Sequence, residues 1–327
     1  MRLIARSDVE RLLPVSACVD VMRHAMTATS ERNVTLPIRQ FMPIPHAPGK
    51  LAIMPGTMAD PACFGIKLVC KYDRPRGDAL GTHVGMVMLF DSAKGVPLAM
   101  IEGSSLTAIR TSAASAVATD VLARKDATRL SIIGNGEQAA RHVHAMRAVR
   151  NIDHVTIWGR DPARAETFAR QMADETGLAV TTAATSAGAI VGADIVCTTT
   201  SAKEPVVEGR VLEPGMHINL VGSAIPTTAE VDAAAVQRSR FYVDYHDAAM
   251  AAAGELLQAI EAGVVGESHV IGEIGDVLLG HAEGRQTATD ITMYKSLGVA
   301  AQDLAAAYAI WKKAELEDAG QCFELLD

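Results

Sequence analysis

Three cationic residues stand among apolar or small neighbours in the first third of the chain. Arg39 lies in a Leu-Pro-Ile-Arg-Gln-Phe run, Lys67 lies between Ile and Leu, and Arg110 opens an alanine-rich helical stretch. The alternation around Lys67 predicts an inward side chain, where burial lowers a lysine pKa and suits it to proton transfer. The guanidinium fork of Arg110 can clamp a carboxylate. Together they predict a site for a small anion. A solvated or structural role is the alternative for each.

A glycine turn in the middle of the chain has the pattern of a nucleotide site. An apolar run over 130–133 leads into Gly-Asn-Gly-Glu-Gln-Ala-Ala and a helical stretch. Gly134 would make the tight turn, Gly136 would let amide groups approach a pyrophosphate, and Ala139 would pack helix on strand. The helix N-terminus would stabilise the phosphates, and Glu137 in its first turn is a predicted cofactor-binding position. An ordinary strand-to-helix turn is the alternative.

Further apolar strands alternate with alanine-rich helical stretches after this turn, which predicts a parallel sheet with crossover helices. The strands are placed at 154–158, 179–182, 193–198, 217–221 and 241–244. Ligands of such sheets bind at the carboxyl ends of the strands. The residues expected there are Thr199, Thr200, Val221, Gly222 and Ser223, with ordinary loop roles as the alternative.

The end of the second strand bears on which dinucleotide is bound. It reads Trp158-Gly159-Arg160, at the distance where NAD enzymes place an acid on the ribose hydroxyl. Gly159 holds the acidic position, and Arg160 suits a 2′-phosphate better than a free hydroxyl. NADP(H) is therefore the preferred cofactor. NAD(H), with Asp161 on the ribose, is the alternative.

Composition excludes several classes of protein. The 327 residues are 49% hydrophobic and carry a net charge of −8 with no dense basic block, so nucleic acid is not an expected partner. No apolar stretch is long enough for a bilayer, and the charged N-terminus lacks a secretory pattern, so a cytoplasmic protein is expected. The five cysteines form no C-x-x-C pair, and His142 and His144 point to different helix faces. Neither a disulfide framework nor a metal site is predicted.

The first hundred residues have a different character. Strand-like runs at 51–54, 64–70, 84–91 and 97–102 are too closely spaced for crossover helices. They predict a second domain for the substrate. Ahead of them, Ser7 to Glu10 fits a capping box for a short helix, and a longer helix is expected from Ser16.

The chain also resembles a known family almost end to end. The resemblance is carried by Gly65-Ile66-Lys67, Leu89 to Asp91 with Gly95 and Pro97, 106–116, 134–139, and Lys295 to Gly298 leading to Gln302-Asp303-Leu304. These stretches are similar to the ornithine cyclodeaminase and mu-crystallin family. The resemblance implies an α/β fold in which a Rossmann dinucleotide-binding domain, 119–295, is inserted into a mixed α+β domain, 1–118 plus 296–327. That second domain binds substrate and joins two copies into a homodimer.

The resemblance also assigns roles. It makes Arg39, Lys67 and Arg110 the group that binds the substrate carboxylate, with Lys67 as a proton donor. His83 would lie nearby, in a protonation or a packing role. The cofactor contacts implied are Thr82, Arg110, Thr111, Gln138, Thr200 and Ser296.

One departure from the family pattern indicates the reaction. Members that cyclise ornithine carry an aspartate where this chain has Ala224, and an alanine can neither hold an ammonium nor move a proton. The sequence therefore predicts an NAD(P)H-dependent reductase of a ketimine or cyclic imino acid, with hydride passing to the carbon alpha to a carboxylate. The reverse reaction is an amino-acid dehydrogenase. A cyclodeaminating lyase that retains NAD and a non-catalytic ligand-binding protein are the alternatives. Arg74 and Arg76 would either add an anionic contact or be surface charges.

Overall fold

The computed structural model describes residues 1–72, 74, 80–81 and 83–325. The chain divides into two compact units, the first formed by Met1–Arg110 with Gly298–Asp327 and the second by Thr111–Leu297. The divisions expected from the sequence, 118/119 and 295/296, lie eight and two residues away from these.

The first unit combines helices with a largely antiparallel sheet. Its helices are α1 (Arg6–Leu12), α2 (Val15–Ser30), the first part of α3 (Gly103–Leu122) and α11 (Ala300–Glu317). Its strands are β1 (Arg2–Ile4), β2 (Val34–Thr35), β3 (Gln40–Pro43), β4 (Gly49–Met58), β5 (Cys63–Tyr72), β6 (His83–Asp91), β7 (Pro97–Glu102) and β16 (Gln321–Cys322). They run in the order β16-β1-β7-β6-β5-β4-β2, with β3 also paired to β4.

The two faces of this sheet differ. Helix α11 packs against β4, β5, β6 and β7, and α2 packs against α11. The helix approaches closely because glycines lie beneath it: a Cβ on Gly65 would be 2.8 Å from Leu304 Cδ2, and one on Gly56 would be 2.8 Å from Ala300 Cβ. The opposite face, here called the outer face, carries the alternate side chains, which are half-buried or exposed. The apolar residues among them are Ile53, Pro55, Phe64, Ile66, Leu68, Met86, Met88, Phe90 and Met100.

The predicted capping box is wrong. Helix α1 begins at Arg6, its N-cap is the extended residue Ala5, and no side chain caps it. The reason is that β1 pairs with β7 up to Ile4, so the helix must start directly after the strand. Ser7 therefore lies inside the first turn instead of ahead of it.

The second unit is a parallel sheet with connecting helices, and it confirms the predicted α/β fold of Rossmann type. Its strands are β8 (Arg129–Ile133), β9 (His154–Trp158), β10 (Ala179–Thr182), β11 (Ile195–Thr198), β12 (His217–Leu220), β13 (Arg240–Val243), β14 (Val270–Glu273) and β15 (Thr292–Lys295). Its helices are the rest of α3, α4 (Glu137–Val149), α5 (Pro162–Thr176), α6 (Ser186–Ile190), α7 (Ala233–Gln237), α8 (His246–Ala252), α9 (Gly254–Glu261) and α10 (Ile274–Leu279), with short 3-10 helices at Gly209–Val211 and Glu267–His269.

The strand order of this sheet fixes where a ligand can bind. The order is β10-β9-β8-β11-β12-β15-β13-β14, so the chain direction across the sheet reverses between β8 and β11. Open α/β sheets bind ligands beside the carboxyl ends of the strands at such a reversal. The predicted strands lie within two residues of those observed, but β14 and β15 were not predicted. Within the described ranges, no helix has the length and apolar character needed to cross a bilayer.

Candidate active site

Lys67 is buried in the middle of β5. Alternate residues of this strand face α11, and Lys67 falls on that side between the half-buried Ile66 and Leu68. Its side chain is 3% exposed, and Nζ donates to Asp303 Oδ1 at 2.9 Å. The inward orientation predicted from the alternation is therefore present, and the lysine has a buried carboxylate as its partner.

Arg110 shares that carboxylate. Its Nε donates to Asp303 Oδ1 at 2.9 Å, and its Nη1 donates to Gln302 Oε1 at 3.0 Å. Both acceptors lie in the first turn of α11, where a helix favours negative charge. Asp303 is almost wholly buried, and its Oδ2 accepts no hydrogen bond from the described residues. Two cations thus converge on one carboxylate oxygen, which leaves the cluster with positive charge to attract an anion.

The turn before α11 is shaped around the arginines. Gly298 has φ of +75°, and a Cβ at this position would lie 2.5 Å from Arg110 Nη1. Any larger residue at position 298 would therefore clash with the guanidinium of Arg110. The carbonyl of Gly298 accepts from Arg39 Nη2 at 2.9 Å. The structure therefore brings Arg39, Lys67 and Arg110 together around residues 298–303.

Burial and charge set the protonation of this cluster. Burial lowers the pKa of Lys67 to about 7; Asp303 opposes the shift and the positive charge of Arg110 adds to it. Burial alone would raise the pKa of Asp303, but Arg110 and Lys67 hold it below its usual range. At neutral pH the carboxylate is ionised and the lysine exchanges its proton readily, as a general acid requires.

The remaining residues predicted for the first unit are His83, Arg74, Thr82 and Arg76, and the structure describes two of them. His83 is an exposed residue at the start of β6, opposite Lys71, and its carbonyl accepts from Ser104 Oγ at 2.9 Å. The Arg74 guanidinium lies over the Tyr72 ring at 5.5 Å from its centre. Thr82 and Arg76 lie outside the described residues.

The glycine turn of the second unit has the geometry of a phosphate cradle. Gly134 has φ of +130°, and a Cβ there would lie 2.6 Å from Thr199 Oγ1, so the turn tolerates no side chain. Gly136 is the N-cap of α4, and a Cβ added to it would meet open space. No side chain caps this helix. The N-terminus of α4, where Glu137 and Gln138 follow, thus suits the binding of a pyrophosphate.

The loops beside this turn also fit a dinucleotide. Thr199 donates its backbone N–H to Ile133 O at 2.8 Å, which ties the loop after β11 to the glycine turn. Two side-chain atoms, Gln138 Oε1 and Ser296 Oγ, are buried without a hydrogen-bond partner among the described residues. Buried polar atoms normally have partners, so both are candidates for ligand contacts. The same unit contains the buried Thr111, Ser223 and the half-buried Thr200 and Val221, with Gly222 and Arg160 exposed.

Three residues that organise these sites have no role predicted from the sequence: Gln302 and Asp303 in the first unit and Glu230 in the second. Asp303 and Glu230 are buried acids, almost without exposure. A signal is present for Asp303, which is the one charged residue in the alanine-rich stretch 300–311. Acids are rarely buried unless they are paired, so an acid in such a context predicts a buried partner.

Comparisons with known proteins agree with this architecture. A model of the ornithine cyclodeaminase/mu-crystallin family matches residues 2–318. A Delta(1)-pyrroline-2-carboxylate reductase of Bacillus cereus is 33% identical over 325 residues, which is 99% of this chain and 100% of that protein. The ketimine reductase mu-crystallin of Mus musculus is 32% identical over 279 residues, 85% of each chain.

A solved structure is similarly close. The Delta(1)-pyrroline-2-carboxylate reductase of Thermococcus litoralis, in complex with NADH and L-proline, superposes with a TM-score of 0.95 at 31% identity, over 99% of this chain and 100% of that one. The resemblance seen in the sequence is therefore confirmed over the whole length. The chain belongs to the ornithine cyclodeaminase/mu-crystallin family.

Proposed function

We propose that this protein reduces the C=N bond of a ketimine or cyclic imino acid with NAD(P)H and so forms an amino acid. The observation that carries the proposal is the buried Lys67, whose pKa of about 7 lets it act as an acid while Arg110 stands beside it to hold an anion. The pyrroline-carboxylate and ketimine reductases among its relatives support the same reaction class.

Each residue of the cluster has a task in this reaction. Arg39 and Arg110 hold the substrate carboxylate, and Lys67 keeps the imine nitrogen protonated. Asp303 keeps Lys67 and Arg110 in place through its Oδ1. When bound, the nicotinamide supplies the hydride to the imine carbon. Protonation by Lys67 matters because an iminium carbon is far more electrophilic than the carbon of a neutral imine.

The substrate is a small imine bearing a carboxylate, and we favour a cyclic one such as Delta(1)-pyrroline-2-carboxylate. The lyase alternative loses support at Ala224, whose methyl group packs against the apolar core of the second unit. A methyl group at this position can neither accept a hydrogen bond from a second substrate amine nor pair with its charge.

We further propose NADP(H) as the preferred cofactor. A Cβ on Gly159 would lie 2.9 Å from Asn135 Nδ2, so an acid at this position would have to displace the asparagine. Asp161 Oδ1 accepts from Arg164 N at 3.3 Å, so this carboxylate already serves as the N-cap of α5. Arg160 between them is exposed and suits a 2′-phosphate.

A homodimer through the first sheet is the third part of the proposal. On the outer face of that sheet, apolar side chains lie on the four neighbouring strands β4 to β7. Phe64 and Phe90 stand opposite each other there and stack at 5.1 Å between ring centres. Contiguous apolar surface of this kind marks an interaction site. A second copy presenting the same face would cover it, as in a two-fold symmetric dimer.

The test is optical. Oxidation of NADPH and of NADH would be followed with a panel of cyclic and linear imino acids, and ornithine with NAD would serve as the lyase control. Net oxidation with an imino acid is expected. Ammonia release from ornithine without net change in the cofactor would instead establish the lyase.

A further inference from the structure

Glu230 is a fully buried carboxylate in the second unit, ten residues beyond the end of β12. Its Oε1 accepts from the backbone N–H of Thr200 at 2.7 Å and from Thr200 Oγ1 at 2.8 Å. Its Oε2 accepts from Thr198 Oγ1 and from the backbone N–H of Gly222, both at 2.7 Å. Each carboxylate oxygen therefore receives two hydrogen bonds.

These donors belong to two different loops. Thr198 and Thr200 belong to the end of β11 and the loop after it, and Gly222 lies in the loop after β12. The two loops are packed so closely that a Cβ on Gly222 would be 2.0 Å from Thr200 O and 2.5 Å from Glu230 Oε1. The carboxylate fills the space between them and fixes their separation.

A second layer holds Glu230 itself. Its backbone N–H donates to Glu255 Oε1 at 3.1 Å, and Glu255 Oε2 lies 3.0 Å from Lys295 Nζ. Lys295 thus neutralises Glu255, whereas Glu230 forms no ion pair among the described residues. A buried carboxylate without a counter-ion is tolerated here because four N–H and O–H donors surround it. Since a carboxylate can only accept hydrogen bonds, no neutral side chain of similar shape can replace it.

We propose that Glu230 is a positioning residue for the nicotinamide half of the cofactor. The inference rests on the proposed function, because it requires a bound dinucleotide; Thr199, Thr200, Gly222 and Ser223 are the loop residues that the sequence predicts at its site. The glycine turn at Gly134 and Gly136 holds the phosphates, and Glu230 sets the two loops further along the same sheet edge. Loss of its charge therefore weakens contacts of the nicotinamide half and leaves those of the adenosine half intact.

Glu230→Gln tests this with little change in shape. The amide NH₂ must point at two donors, either those of Thr200 or those of Thr198 and Gly222, so one loop moves away. The dissociation constant of NADPH would be measured by fluorescence, together with that of 2′,5′-ADP, which carries the adenosine half alone. If the wild-type protein prefers NADH, then NADH replaces NADPH and ADP replaces 2′,5′-ADP in these measurements. We expect dinucleotide affinity to fall roughly ten- to hundredfold, the effect of unsatisfied buried donors, and fragment affinity to stay within about twofold.

The matched control is Asp194→Asn. Asp194 immediately precedes β11, at the opposite end of the strand, and its Oδ2 accepts from the backbone N–H groups of Thr128 and Arg129 at 2.9 and 3.0 Å. This substitution also removes the charge of a carboxylate that ties backbone segments together; unlike Glu230, Asp194 is in addition ion-paired, through Oδ1 with Arg124 Nη2. We expect it to lower the melting temperature while the ratio of dinucleotide to fragment affinity stays at its wild-type value.

The outcomes separate the roles. An equal loss of dinucleotide and fragment affinity in Glu230→Gln would mean a merely structural carboxylate, and unchanged affinities would mean no role; both overturn the inference. If Glu230→Gln does not fold, Glu230→Asp keeps the charge but is one methylene too short to reach both loops, and the same affinity ratio decides. A wild-type protein that binds neither NADPH nor NADH would remove the proposed function, and this inference with it.

Discussion

Lys67 Nζ and Asp303 Oδ1 lie 2.9 Å apart, although 236 positions separate the two residues in the chain. Lys67 comes from the centre of a strand and Asp303 from the first turn of a helix packed on it. Burial removes most of the basicity of the lysine, and the carboxylate restores part of it. The pair therefore sets the pH at which the lysine gives up its proton.

The first prediction concerns pH. Because the pKa of Lys67 is about 7 and its protonated form is the acid, kcat/KM for imine reduction should fall as pH rises through 7. The charged groups that act on Lys67 are Asp303, Arg110 and Arg39. A profile measured with an imino acid and NADPH checks this, and a flat profile up to about pH 9 would contradict a lysine acid.

The second prediction concerns Asp303. Asp303→Asn removes the charge that raises the pKa of Lys67, so the fall in kcat/KM should move to lower pH than in the wild type. The variant also leaves two buried cations without their carboxylate, a loss of about 3–5 kcal/mol in the free energy of unfolding. Asp303→Glu keeps the charge and serves as the second variant if the asparagine form does not fold. A profile identical to that of the wild type would show that Asp303 does not govern the lysine.

The third prediction concerns Lys67 itself. Lys67→Ala should lower kcat by roughly 10²- to 10⁴-fold, the usual contribution of a general acid. Lys71→Ala is the control, since Lys71 is exposed on the same strand. The comparison holds if both variants bind NADPH as the wild type does. Comparable loss of kcat in the two variants would argue against proton transfer by Lys67.

The fourth prediction concerns the cofactor. Arg160→Ala should raise the KM for NADPH by roughly ten- to hundredfold, as expected for a lost hydrogen bond to a charged group, and leave that for NADH nearly unchanged. Arg164, exposed on α5, provides the control Arg164→Ala. If both dinucleotides were affected equally, Arg160 would not be reading the 2′-phosphate.

The fifth prediction concerns the outer face. Ile66 lies on it opposite Met88, so Ile66→Glu should place a charge in the interface and yield a monomer. Leu316→Glu is the control, because Leu316 is 85% exposed on α11 and apart from that face. Light scattering coupled to gel filtration gives the masses. A wild-type monomer, or a dimeric Ile66→Glu variant, would remove the proposed interface.

The sequence predicts best what depends on near neighbours in the chain. The strand, glycine turn and helix around Gly134 are visible because their pattern lies within a few residues. The inward side chain of Lys67 follows in the same way from the alternation of its own strand. Local patterns therefore indicate the parallel sheet and the first part of the site.

What the sequence does not reveal depends on partners far along the chain. The pairing of Lys67 with Asp303 requires α11 to pack on the sheet, and no local pattern predicts that contact. Glu230 looks like an ordinary loop acid until the ends of β11 and β12 are brought side by side. The predicted start of α1 is wrong for the same reason, because the pairing of β1 with β7 decides where the helix begins.

The large distance along the chain between Lys67 and Asp303 also has a consequence for folding during synthesis on the ribosome. Lys67 and Arg110 are synthesised early, and the whole second unit follows before Asp303 is added. Until then the growing chain lacks the carboxylate that pairs with both cations in the folded protein. Burying a charge without its partner is strongly unfavourable. We therefore expect the cluster of the first unit to form only once the last helix is made, while the second unit, a continuous segment, can fold before it.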